Sequence, residues 1–140
     1  MDVSSTVRRA GLPADRVREL VKATLESERA RDALVSIAFV GTDTRSRHNR
    51  EFLAHPGATD VVSFALGRRG TSPPVIGDIY ICPSVAMRNA KRLGIPAREE
   101  LARLVIHGTL HVLGFEHPEG AARMSSPMWR KQERILESLD

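Results

Sequence analysis

The chain has 140 residues, of which 41% are hydrophobic and 27% are charged, an ordinary balance for a globular protein. This length predicts a single domain that spans residues 1–140. The composition excludes collagen-like and disordered chains, and no apolar run is long enough to form a transmembrane helix. Twenty-one lysines and arginines against 17 acidic residues give a net charge of +4, which by itself identifies no class of partner.

The single cysteine, Cys82, excludes an internal disulfide and any zinc site built from several thiolates. It also fits a reducing compartment. The charges near the N-terminus, among them Arg8 and Arg9, are not followed by an apolar segment, so we expect no signal peptide. The sequence therefore predicts a cytoplasmic protein without membrane association, in which histidines and carboxylates must hold any metal ion.

Five elements are predicted in the N-terminal half of the chain. A weak strand pattern covers 3–8, and an apolar stripe with helical spacing covers 14–28. Alternating apolar residues predict strands over 34–40 and 60–66, with a short helix over 43–52 between them.

The C-terminal half is predicted to hold one strand and three helices. The strand covers 75–82, and the Pro-rich loop before it suggests antiparallel pairing with the strand at 60–66. Helices are predicted from Pro83 to Gly94, over 97–113 and over 127–138. Together these elements predict an α/β (α+β) fold, with a mixed sheet of three to four strands and about five helices.

Three of the five histidines lie within eleven residues, at His107, His111 and His117. His107 and His111 are four residues apart on the predicted helix, so their side chains project from one face. Gly114 can end that helix and reverse the chain, which returns His117 to the same point. Three imidazoles with an open fourth position are typical of catalytic zinc, with one ion per chain, although nickel, cobalt or copper would also suit imidazole.

The alternative is that these are three unrelated surface or core histidines. We disfavour it because three buried imidazoles without a shared partner would leave polar nitrogen atoms unsatisfied. The spacing also matches the metzincin peptidase pattern at every position except Gly108, where a peptidase has its general base Glu. Peptide hydrolysis is therefore disfavoured. Glu116 is a candidate substitute base, or a residue that orients an imidazole, or a solvated loop carboxylate.

Residues 107–117, HGTLHVLGFEH, resemble the H-G-x-L-H-L-x-G-[YF]-[DE]-H motif of the YbeY family. Two other segments resemble that family in the same order. Residues 48–53 with 58–64 are similar to its L-N-x-x-[YF]-[RL]…P-T-D-V-L-S-F segment, and residues 76–83 to its L-G-D-I-x-I-C-P segment. The three-part match covers roughly residues 35–136.

The resemblance implies a metal-dependent, single-strand-specific endoribonuclease with a central helix whose end presents the three histidines as metal ligands. It also implies a role in ribosomal RNA processing, at the 3′ end of the small-subunit RNA, and in ribosome quality control. The implied partners are single-stranded ribosomal RNA and the small ribosomal subunit. The oligomeric state is not implied by the sequence.

The chain departs from the family pattern at His48, where Leu is usual, and at Leu53, where Arg often follows the aromatic residue. That Arg is associated with phosphate contact and cleavage. Arg50 is a candidate catalytic replacement for it, and Arg47 is a second, although an ordinary surface arginine remains the alternative for each.

A basic segment between residues 44 and 70 is the candidate RNA-binding wall. Its alternative interpretation is a solvated basic surface. Its candidate substrate-binding residues are Arg45, Arg47, His48, Asn49, Arg68 and Arg69.

Three functions are therefore compared. The preferred one is a zinc-dependent endoribonuclease, in which either a metal-bound water or the substrate 2′-OH attacks the phosphodiester. The second is a ribosome-assembly RNA-binding factor with a structural metal and little nuclease activity, which Leu53 favours. The third is a hydrolase of another bond, such as a peptidase, which Gly108 disfavours.

Overall fold

A computed structural model describes this protein over residues 2–5, 11–30, 33–40, 61–65, 75–117 and 120–139. The predicted short helix over 43–52 lies outside them, as does the basic segment between residues 44 and 70 apart from 61–65.

Among the described residues, four strands form one mixed sheet in the order β1-β2-β4-β3. Strand β2 runs parallel to both β1 and β4, whereas β3 is antiparallel to β4. The predicted antiparallel pairing of the last two strands is therefore confirmed. The weak N-terminal pattern over 3–8 corresponds to an edge strand at Asp2–Ser5, and residues 6–8 lie outside the described part of the chain. The strands are β1 (Asp2–Ser5), β2 (Ala33–Phe39), β3 (Val61–Ala65) and β4 (Val75–Ile81).

Four α-helices and one 3-10 helix accompany the sheet in the described part of the chain, so the expected count of about five α-helices is not reproduced there. The difference arises because the predicted helix over 43–52 lies outside the described residues. Next to His117, the chain forms a 3-10 helix at Gly120–Ser125. The α-helices are α1 (Ala14–Ser27), α2 (Pro83–Leu93), α3 (Ala97–Val112) and α4 (Pro127–Ser138).

Local sequence signals explain where these elements begin. The Oγ of Ser126 accepts a hydrogen bond from the Trp129 backbone N–H at 3.2 Å, and Pro127 occupies the first turn of α4. In β2, Val35, Ile37 and Phe39 are buried, which confirms the predicted alternation.

Helix α3 is the central element of the fold. It contacts α1, α2 and α4 as well as strands β3 and β4, and 11 of its 16 residues are buried. A helix with neighbours on nearly every side is apolar around most of its circumference. This packing fixes the C-terminal end of α3, which carries His107 and His111. No helix among the described residues is long and apolar enough to cross a membrane.

Candidate metal centre

The structure brings the three predicted histidines together at the end of α3. Their metal-binding nitrogen atoms all lie within 4.8 Å of one another. The ring centroids of His107 and His111 are 4.5 Å apart, and that of His117 is 5.0 Å from each. His107 is buried, while His111 and His117 are half-buried, so the cluster lies at the edge of the core.

A hydrogen bond from α4 fixes the tautomer of His107. Its Nδ1 lies 2.6 Å from Oε1 of Gln132, whose amide nitrogen in turn donates to Oε2 of Glu133 at 2.9 Å. Because that carboxylate takes the NH₂ group of Gln132, the amide oxygen faces the ring and can only accept. Nδ1 of His107 therefore carries the proton, and Nε2 presents a lone pair.

The turn after α3 fixes the second imidazole. Gly114 has a φ of 104°, its N–H donates to the His111 carbonyl, and the Phe115 N–H donates to the Leu110 carbonyl. These two bonds form a Schellman motif, which needs a left-handed residue at Gly114. The motif turns the Phe115 carbonyl to within 2.9 Å of His111 Nδ1. A carbonyl can only accept, so His111 also presents a lone pair at Nε2.

The two unprotonated Nε2 atoms of His107 and His111 face each other at 3.0 Å. Two lone pairs at this distance repel unless a cation or a proton lies between them. Ligands bound to a tetrahedral zinc ion at about 2.0 Å are about 3.3 Å apart, close to the distance seen here. With the imidazole of His117 beside them, the three side chains fit a transition-metal ion that prefers nitrogen ligands.

The surroundings of His107 and His111 favour their neutral forms. Burial, together with the charge of His111, lowers the pKa of His107 to about 3, against a weaker opposing effect of the Gln132 hydrogen bond. Burial also lowers the pKa of His111, although the Phe115 carbonyl opposes this shift. Neutral imidazole is the form that binds metal.

Gly108 lies on the face of α3 that packs against the sheet, not on the face that carries the histidines. A Cβ at this position would lie 2.8 Å from Cγ2 of Ile79 on β4, closer than side chains tolerate. Gly108 and Ile79 are both fully buried in the contact between α3 and the sheet. At the position where peptidases have their general base, this chain therefore has a glycine against which the Ile79 side chain packs.

Glu116 is exposed and lies between Phe115, which orients His111, and His117. It is near enough to His111 for its charge to raise the pKa of that imidazole. Its sequence position and this proximity place a carboxylate at the solvent side of the cluster.

An ion-pair network behind the cluster joins α3 to α4. Arg103 donates to Glu133 at 2.8 and 2.9 Å and to Glu100 at 2.9 Å, with Glu99 at 3.4 Å. The Glu133 hydrogen bonds are the largest cause of the raised pKa of Arg103. Because Glu133 also accepts from Gln132, this network supports the side chain that orients His107.

Sequence reasoning missed two residues beside the cluster, Gln132 and Arg123. Gln132 had a recognisable signal: it lies four residues after Met128 and four before Leu136, so a polar side chain occupies the apolar stripe of α4. Arg123, on the 3-10 helix, had none. The remaining predicted site residues lie outside the described part of the chain, namely Arg45, Arg47, His48, Asn49, Arg50, Arg68 and Arg69.

Comparison with known proteins gives a consistent result. The family model described as Endoribonuclease YbeY matches residues 5–140. An Endoribonuclease YbeY from Kineococcus radiotolerans is 34% identical over 127 residues, covering 85% of this chain and 73% of that protein. Another, from Chloroherpeton thalassium, is 31% identical, and the match covers 98% of this chain and 93% of that protein.

The fold resembles the solution structure of a protein from Thermotoga maritima, with a TM-score of 0.64 and 26% identity. That likeness covers 99% of this chain and 87% of the other. The family match and the fold agree over nearly the whole sequence. The chain belongs to the YbeY family of endoribonucleases.

Proposed function

We propose that this protein is a zinc-dependent endoribonuclease that cleaves single-stranded RNA, with one ion held by His107, His111 and His117. The observation that carries the proposal is the pair of Nε2 lone pairs that face each other at 3.0 Å beside His117. Gln132 and the Phe115 carbonyl accept hydrogen bonds from the Nδ1 atoms of His107 and His111. These bonds leave both Nε2 atoms unprotonated and directed toward a common point, where a cation can bind.

When bound, such an ion supplies Lewis-acid stabilisation for the charge that develops on a phosphodiester. The residues of the chain do the rest. Glu116 is exposed beside the imidazoles, where its carboxylate can accept a proton from the nucleophile. Arg50 is proposed to contact the phosphate.

The basic segment is proposed as the wall along which the RNA lies, through Arg45, Arg47, His48, Asn49, Arg68 and Arg69. The family resemblance supports ribosomal RNA as the substrate, in 3′-end maturation of the small-subunit RNA and in ribosome quality control, with the small ribosomal subunit as the partner. We further propose that residues 1–140 act as one domain in the cytoplasm, which the single cysteine favours.

A second candidate is an RNA-binding assembly factor whose metal is structural. The observation that favours it is Leu53, at the position where the resemblance leads us to expect Arg. The two candidates differ in one result, because only the enzyme cleaves RNA.

The decisive experiment incubates the purified protein with single-stranded RNA, with and without a chelator. We expect cleavage that stops on chelation and returns with zinc. His117→Ala should abolish it, and this variant is informative because His117 lies outside the packed helix and is half-buried. RNA binding without cleavage by the wild type would instead favour the assembly factor.

Glu116→Gln tests the proposed base. We expect cleavage to fall by roughly 100-fold or more, the lower end of what a positioned general base contributes. Glu137→Gln is the matched control, since Glu137 is an exposed carboxylate on α4. Equal activity of the two variants would remove Glu116 from the mechanism.

A further inference from the structure

A groove of about 580 Å³ runs from the buried His107 ring to the surface, between α2, α3, the 3-10 helix and α4. We call it the Arg123 groove. Its walls include Arg92 and Leu93 on α2, and Arg123 and Trp129 on the opposite side. A larger cavity of about 1050 Å³ lies along α1, but none of the three clustered histidines lines it.

Two of the three arginines that line the groove, Arg103 and Arg123, are in contrasting states. Arg103 is neutralised by Glu99, Glu100 and Glu133. Arg123 has no carboxylate within ion-pair distance among the described residues, and its buried Nε likewise has no hydrogen-bond acceptor there. A buried donor without an acceptor is costly, so such a group calls for an explanation.

The Arg123 guanidinium is nevertheless held in place. It lies over the ring of Trp129, 5.8 Å from the ring centroid, in a cation–π contact. The backbone carbonyl of Arg123 accepts from the Ser126 hydroxyl at 2.7 Å, which ties the 3-10 helix to the start of α4. A positioned guanidinium loses less conformational freedom when it binds an anion.

Arg123 is also close to the histidine cluster. It lines the same groove as His107, and its positive charge contributes to the lowered pKa of both His107 and His111. A cation in this place raises the electrostatic energy of any bound metal ion. An anion bound to Arg123 would offset that repulsion.

We propose that Arg123 binds a phosphate of single-stranded RNA next to the histidine cluster, with the adjoining nucleotide in the Arg123 groove. This inference rests on the proposed function and adds a phosphate-binding residue to it. The planar guanidinium fork suits phosphate oxygens, and Arg92 at the rim supplies a second positive charge for the strand. The apolar side chains of Leu93, Met124 and Trp129 fit the sugar and base.

The chain itself offers a probe, because Trp129 is its only tryptophan. Wild-type protein loaded with zinc is titrated on ice with a short single-stranded oligoribonucleotide while tryptophan fluorescence is followed. A denaturing gel of the same samples confirms that the RNA remains intact. We expect a saturable fluorescence change, since the ligand would bind beside the Trp129 ring.

Arg123→Gln should weaken this binding roughly 10- to 100-fold, the loss expected for a charge-assisted contact. The slope of log affinity against log salt concentration should fall by about 0.7, the value for one phosphate contact on a single strand. Arg123→Lys should keep the slope and lose part of the affinity. Arg130→Gln is the matched control, because Arg130 is exposed on α4 and does not line the groove.

Unchanged affinity and salt slope in Arg123→Gln would overturn the proposal, as would wild-type binding that leaves Trp129 fluorescence unaltered. If Arg123 had only a structural role, Arg123→Gln and Arg123→Lys would both melt at a lower temperature and both would keep the wild-type salt slope. That result would also overturn the proposal. Cleavage is scored separately. RNA bound through Arg123 but never cleaved would overturn the proposed enzyme and leave the phosphate site standing.

Discussion

Gln132 shows how one buried side chain can set the chemistry of another. It is fully buried, accepts from His107 and donates to Glu133, so both ends of its amide are used. An apolar side chain of similar size would leave the His107 Nδ1–H without an acceptor and would free the ring to rotate or to change tautomer.

Gln132→Leu should therefore weaken zinc binding by about 10- to 100-fold, the usual effect of removing such a partner. Competition with a chromophoric chelator measures this. Gln132→Glu keeps an acceptor in place and should retain most of the affinity, which separates orientation of His107 from general loss of packing. Equal affinity of Gln132→Leu and the wild type would contradict the role assigned to this hydrogen bond.

At this scale the sequence predicts the ligands better than their supports. His107, His111 and His117 are recognisable because helical spacing and a terminating glycine are local properties of the chain. Gln132 and Arg123 reach the site through the packing of α4 and the 3-10 helix against α3. Such a contact joins residues far apart in the sequence, so local periodicity does not reveal it.

At the scale of elements, the end of α3 decides whether the third histidine reaches the other two. Gly114→Ala forces a side chain into a left-handed conformation and should cost about 1–3 kcal/mol of stability. It should also weaken zinc binding, because the same turn delivers the Phe115 carbonyl and His117.

Gly94→Ala is the matched control for Gly114→Ala. Gly94 ends α2 with a φ of 72° and open space around it, and it does not belong to the histidine cluster. Denaturant titration and zinc competition on both variants should show lost stability in each but lost zinc affinity only in Gly114→Ala. Normal zinc affinity in Gly114→Ala would refute the link between the turn and the site.

The ion-pair network around Arg103 joins α3 to α4. Arg103→Met should destabilise the protein by about 2 kcal/mol at neutral pH, below the range for fully buried pairs because Glu133 is partly exposed. Burial raises the pKa of Glu133, but the hydrogen bonds and charge of Arg103, with the Gln132 hydrogen bond, outweigh it and lower the pKa. The stability that Glu133 contributes is therefore present above pH 4.5 and is lost as the pH falls through its lower folded-state pKa.

The difference in unfolding free energy between Arg103→Met and the wild type should therefore shrink as the pH falls below about 4.5. Urea titrations at neutral and acidic pH measure it. Arg88→Met, at an exposed position on α2, should show little difference at either pH. A difference that stays constant with pH would argue that Arg103 acts through packing alone.

For the molecule as a whole, bound metal should contribute to thermal stability. We expect about one equivalent of zinc in the purified protein. At a free zinc concentration 100 times the dissociation constant, binding contributes about 2.7 kcal/mol, so chelation should lower the melting temperature by about 5–10 °C. His117→Ala should melt at the same temperature with or without chelator. A metal-free wild type whose melting is unaffected by zinc would exclude the site.

The order of elements along the chain was largely predictable, since each helix and strand carries its own periodicity and termini. Which strands lie next to each other in the sheet was less predictable. β2 lies between β1 and β4 and runs parallel to both, so no tight turn joins it to either neighbour. Parallel pairings of this kind join distant segments and leave no mark in the local sequence.

The close contact of Gly108 with Ile79 bears on how this scaffold can change over evolutionary time. A single substitution that restores the peptidase pattern, Gly108→Glu, would place a long charged side chain against the fully buried Ile79. A conversion to peptide hydrolysis would first have to shorten Ile79, which on its own costs core stability. RNA cleavage and peptide hydrolysis on this scaffold are therefore separated by two substitutions, at Ile79 and at Gly108, and the first is destabilising. Their metal-binding patterns nevertheless differ at only one position.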